Sequence, residues 1–155
     1  MEKFLEHLNK AEKAITSADH IIYVSYPLVR EKALILKALS ENHIAVLSLI
    51  NTILQYEYIY KRINLTSNSA QNLGIFINKC SQKYGISDQE IGLILELINI
   101  AEKHKHSSQE FIREEKIIIL SENLKMEMIT IEKIKQFLNL SKSLFKKVRE
   151  KIGNR

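Results

Sequence analysis

A single cysteine, Cys80, is the only thiol in the 155 residues. One thiol cannot close a disulfide within the chain or build a multi-cysteine metal site, and it fits a reducing cytoplasm. One proline and four glycines are far below an ordinary share, which argues against a turn-rich all-β fold. Tryptophan is absent, and 24 isoleucines against five phenylalanines make the expected core aliphatic. The sequence has no phosphate-cradling glycine loop, no nucleophile elbow, no carboxylate pair with a supporting base and no metal-ligand cluster. No catalytic residue, cofactor or metal is therefore assigned. The longest strongly apolar uncharged run, His43 to Tyr56, has 14 residues and includes Asn51 and Gln55. It is shorter and more polar than a bilayer span. The opening MEKFLEHLNK is charged and amphipathic, unlike a signal peptide. Together these absences predict a soluble, cytoplasmic protein without a membrane segment.

What is present is helical periodicity. Hydrophobic residues make up 45% and charged residues 26%, and the length suits one domain with its own core. Phe4, Leu8, Ala11, Ile15, Ala18 and Ile22 step by four and three, predicting a first helix over Glu2–Tyr23 with a narrow seam. Ser25 or Tyr26 then reads as a cap before Pro27, since proline is preset for a first helical turn. Leu28 to Asn64 contains no glycine or proline. Leu36, Leu39, His43, Val46, Ile50, Ile53 and Tyr60 continue the seam, widened by Ile35, Leu49, Tyr56 and Ile63. This predicts one long central helix that the other segments pack against, with a bend near Ser40-Glu41-Asn42 where apolar character lapses.

NLTSNSAQN at 64–72 reads as a loop. A third helix over Ser69–Tyr84 presents Leu73, Phe76, Ile77, Cys80 and Tyr84, with Gly85 as its left-handed stop. Ser87 and Glu90 form a capping box, and Ile86 and Ile91 are placed for a hydrophobic staple. They open a fourth helix, Asp88 to about Lys103, with Ile91, Ile94, Leu95, Ile98 and Ala101 inward. His104–Ser108 reads as a polar connector, followed by a short helix over Gln109–Arg113 capped by Ser107 with Glu110. KIIIL at 116–120, a turn at 121–123 and period-two alternation at 124–128 predict a β-hairpin. A continuous helix from Ser108 onward is the alternative. Thr130 caps a last helix, Ile131–Ile152, with Ile134, Leu138, Phe145, Val148 and Ile152 inward. The predicted fold is mainly α: an up-and-down bundle of about five helices around one long central helix, with a small β-hairpin before the last.

The candidate functional residues fall in two places. Tyr56, Tyr58, Tyr60 and Arg62 crowd the end of the central helix, where Tyr56 and Tyr60 share one face and Tyr58 and Arg62 another. Such a surface suits base stacking or a partner protein. His43 sits on the apolar seam of the same helix, where Ser40, Ser48, Asn51 and Thr52 could satisfy it as a core histidine. The net charge is +5, but eight cations against two carboxylates after residue 129 put +6 on the last segment and leave −1 for the rest. There Lys135, Lys142, Lys146 and Arg149, with Lys147 beside them, could grip phosphates, with no aromatic reader alongside. His104 and His106 are two apart, too close for a helical zinc pair. Cys80 belongs to the core.

The stretch KALSENHIAVLSLINTILQYEYIYKRI, the connector HKHSSQEFIREEKIIILSENL and the segment MITIEKIKQFLNLSKSLF resemble small helical proteins of archaea and some bacteria with HEPN-like architecture. That resemblance implies an up-and-down bundle, often dimeric. Some members are RNases, and others accompany small nucleotidyltransferases. The RNase members use an Arg followed four to six residues later by a His. None of Arg30, Arg62, Arg113, Arg149 or Arg155 has one, and His43 lies thirteen residues beyond Arg30. Nuclease chemistry is therefore not carried over to any residue here. The sequence points to a non-catalytic interaction module, as a homodimer or with a partner protein. RNA binding through the last helix is the alternative.

Overall fold

Sheet and helices were located in a computed structural model. It describes residues 2–106, 110–113, 116–120 and 126–153, with side chains described for 2–103 and 129–153. The chain is mainly α, with one long central helix and a short antiparallel unit before the last helix. Helix α1 (Lys3–His20) passes into a π-helical turn, Ile21–Ser25, and then into α2 (Tyr26–Val29). The central helix α3 spans Ala33–Ile59, α4 spans Ser69–Ile75, and a second π turn covers Phe76–Cys80. Helix α5 covers Asp88–His106 and α6 covers Ile131–Ile152. Strands β1 (Glu110–Arg113), β2 (Lys116–Leu120) and β3 (Met126–Thr130) pair antiparallel in the order β1-β2-β3.

The first break lies elsewhere than Ser25-Tyr26. In the π turn the Tyr26 amide donates to the Ile21 carbonyl, five residues back, so the helix carries one extra residue through Ile21–Ser25. Pro27 then falls in the first turn of α2, where its missing N–H costs little. The helical path continues to Val29 and stops at Arg30, which takes a left-handed backbone with φ 58°. The central helix therefore begins five residues later than the sequence predicts and ends at Ile59, with Lys61 left-handed at φ 60°. It has 27 residues, roughly 40 Å at about 1.5 Å per residue.

Helix α3 runs unbroken through Ser40–Asn42, where the lapse in apolar character accompanies a buried polar contact. Asn42 is fully buried. Its Oδ1 lies 3.1 Å from the Ser141 hydroxyl of α6, whose single proton it shares with the Phe137 carbonyl at 3.0 Å. The Asn42 amide donates to Ala38 O at 3.1 Å. By length and composition alone α3 could cross a bilayer, unlike the 14-residue run within it. More than half of that window is packed inside the bundle, against α1, α5, α6 and the second π turn.

Local signals hold elsewhere. Ser87 and Glu90 exchange hydrogen bonds at 3.1 Å each way, Gly85 takes φ 70°, and the Thr130 hydroxyl accepts from Lys133 N at 3.2 Å. The Asn68 side chain accepts from Gln71 N to cap α4. Two expectations fail between α5 and α6. Helix α5 runs through His104 to His106 instead of ending near Lys103, so those histidines are helical. The short helix over Gln109–Arg113 is replaced by β1, with Phe111 opposite Ile118 and Ile112 opposite Ile117. A single helical turn nucleates poorly, and the β-branched run KIIIL offers a ladder on both edges. Ser107 lies outside the described residues. On α5, Ile94 and Ala101 are buried and Ile91 and Ile98 pack half-buried against the core as assigned, whereas Leu95 is exposed and Leu97 and Ile100 join the inward face.

Candidate functional site

The end of α3 is built around Glu57, which is only 2% exposed. Arg62 grips its carboxylate in a fork, with Nε to Oε1 at 3.0 Å and Nη2 to Oε2 at 2.9 Å. Lys83 adds a 2.6 Å contact and the Tyr84 hydroxyl donates at 3.1 Å. Burial alone would raise the carboxyl pKa, but the bonds from Arg62, Lys83 and Tyr84 outweigh it and hold it at about 2. Burial, followed by the Glu57 charge, pushes the Tyr84 phenol up. Burial likewise raises the Cys80 thiol to about 11.

This arrangement changes the tyrosine surface. Because the chain turns back at Lys61, the Arg62 amide bonds to Glu57 O at 2.9 Å. Its guanidinium lies over the Tyr56 and Tyr60 rings, at 5.6 and 5.0 Å. Arg62 thus joins Tyr56 and Tyr60, not Tyr58 as helical spacing predicts. Tyr56 packs edge-on against Phe4 with centroids 5.1 Å apart, so it belongs partly to the core. Tyr58 and Tyr60 remain exposed. His43 is buried in the wall of a cavity of about 450 Å³ that Asn51, Asn72 and Glu102 also line. Of its expected partners, Thr52 is committed to Ser48 O at 2.8 Å and Ser40 faces solvent.

On α6 the candidate cations are largely engaged. Lys142 pairs with Asp19 at 2.6 Å, and Lys147 pairs with Glu90, whose other oxygen accepts from Ser143 at 2.9 Å. Lys133 reaches Glu96 at 3.0 Å, Arg149 lies over the Phe145 ring at 5.5 Å, and Lys146 is exposed. An aromatic does accompany this helix, contrary to the sequence expectation. Tyr23, half-exposed in the first π turn, has the Lys135 and Lys142 ammoniums 5.7 and 5.9 Å from its ring centroid.

That π turn also supplies what the sequence reading missed. Ser25, read there as a cap, instead places its hydroxyl 3.2 Å from His20 Nδ1. The two line an open groove of about 780 Å³ between α1 and α3. On the far side Val24, Leu28 and Val29 stand in solvent, Leu28 at 80% and Val29 at 56% exposure. A proline two residues past Ser25, with no helix break between, was the only sequence hint of irregular winding there. Among the described residues no three His, Cys, Asp or Glu side chains converge as a metal site requires. Comparison with known proteins finds no matching family model, no matching curated relative and no matching solved structure.

Proposed function

We propose that the chain is a non-catalytic helical interaction module of the cytoplasm, HEPN-like in its bundle, that pairs with a second copy of itself through the α1–α2 tip. One observation carries this reading: Tyr23, Val24, Leu28 and Val29 form an exposed apolar end on successive turns. Aliphatic side chains grouped in this way mark association surfaces on soluble proteins. A two-fold contact needs a patch complementary to itself. Charges of both signs lie beside the tip, with Lys135 and the Lys142–Asp19 pair next to Tyr23. The buried Glu57 network and the paired lysines of α6 support a structural use of charge rather than a catalytic one. Light scattering over a concentration series tests it. A dimer that Leu28→Asp converts to monomer is expected, and a strict monomer at every concentration overturns the reading.

Single-stranded RNA is a second reading, favoured by Tyr23 between Lys135 and Lys142. An exposed ring can stack a base while flanking lysines meet phosphates. Each lost phosphate contact lowers the salt dependence of binding by about one unit of slope. Affinity measured across a salt series should therefore fall, and its slope flatten, in Lys135→Ala/Lys142→Ala. Affinity equal to that of the unaltered protein sinks this alternative.

A further inference from the structure

We infer that the α1–α3 groove beside the first π turn binds a small phosphate monoester. It is independent of the proposed self-association, since the groove and the apolar tip use different residues. The groove holds about 780 Å³, within the size range of small-molecule sites. Its potential donors come from two helices. Lys13 comes from α1 and Lys37 from α3, while Ser17, His20 and Ser25 add two hydroxyls and an imidazole. Ile21 and Leu34 supply apolar wall for the body of an ester. The only carboxylate in the lining is Glu12, so the fixed side-chain charge is one positive unit.

The π turn joins two of these groups. In ordinary α winding, residues five apart do not share a face. Here the extra residue brings Ser25 within 3.2 Å of His20 Nδ1. If the hydroxyl donates to Nδ1, the imidazole proton rests on Nε2 and serves as a further donor to an anion. Such π turns are rare and recur at functional sites. A tetrahedral phosphate takes several donors at once, which a carboxylate cannot use as fully, and the two lysines answer its charge.

The test follows the His20 ring resonances of the full chain by NMR at constant ionic strength. Glycerol 3-phosphate and AMP are titrated beside inorganic phosphate, sulfate and acetate. Saturable shifts with an ester, tighter than with inorganic phosphate, are expected. Lys13→Ala/Lys37→Ala should weaken the midpoint about tenfold or more, as loss of charge-assisted contacts implies. These lysines lie on the groove surface, and circular dichroism checks that the variant folds. Linear shifts matching those of acetate overturn the inference, as does a midpoint unchanged in the variant. Inorganic phosphate binding as tightly as the esters overturns the monoester class. Repeating the titration on Leu28→Asp separates this result from the oligomeric state.

Discussion

At one end of the α1–α3 pair the chain buries a carboxylate beneath two cations and a phenol; at the other it leaves three aliphatic side chains in water. Glu57 has no solvent to fall back on, so its charge is tolerable only because Arg62, Lys83 and Tyr84 together replace the water it lost. Leu28 forgoes the roughly 1.5–3 kcal/mol that burying a leucine side chain supplies. At the first end the buried charge is satisfied within the monomer. The second leaves Leu28 at 80% and Val29 at 56% exposure, and that difference is why the tip, rather than the tyrosine-rich end, carries the functional proposal.

The sharpest way to break the comparison is to open the closed end. Arg62→Ala/Lys83→Ala leaves Glu57 buried with Tyr84 as its one side-chain partner among the described residues. Removing the partners of a buried charge costs about 3–5 kcal/mol. Urea denaturation should show a loss in that range, larger than for any single exposed lysine of α6. A loss under about 1 kcal/mol, the scale of surface ion pairs, would mean that Glu57 is effectively solvated and the two ends are alike.

Acid probes the same end more gently. The folded pKa of Glu57 is depressed to about 2 from an ordinary value of 4.5. Folded protein therefore binds fewer protons than unfolded chain between those values. The stability this group contributes is fully present above about 4.5 and is lost as pH falls through about 2. Glu90, whose pKa burial would raise but Lys147, Ser87 and Ser143 lower, adds a slope of the same sign. The difference between the unaltered protein and Glu57→Gln isolates Glu57. Thermal denaturation from pH 5 to pH 2 should show a shallower decline in the variant. Parallel curves would remove Glu57 from the closing role.

How much of this was legible follows the range of the interactions. The Ser87–Glu90 box, the Gly85 stop and the Thr130 cap each depend on three or four neighbouring residues, and each stands where the sequence puts it. The strand run KIIIL was also readable, because β-branching without helical spacing is local. The partners of Glu57 were not, since Lys83 and Tyr84 lie 26 and 27 residues away. Asn42 looked like a bend because its partner Ser141 is 99 residues distant. His20 and Ser25 are only five apart, yet their meeting depends on a π turn that no side-chain period encodes. The placement of Tyr23 beside α6 was hidden for the same reason.

The smallest expected change in stability belongs to the open end. Leu28 is 80% exposed, so Leu28→Asp removes almost no buried surface from the monomer. Surface substitutions away from caps and cores fall within about 0.5 kcal/mol. Denaturation at low protein concentration should place the variant in that range. At high concentration the two proteins should separate. The unaltered chain gains stability with concentration because association favours the folded state, whereas the variant does not. If Leu28→Asp instead unfolds the monomer, the tip is part of the core and not an interface. If the unaltered protein shows no concentration dependence, the exposed leucine and valine have no second copy to cover them, and the contrast between the two ends loses its functional meaning.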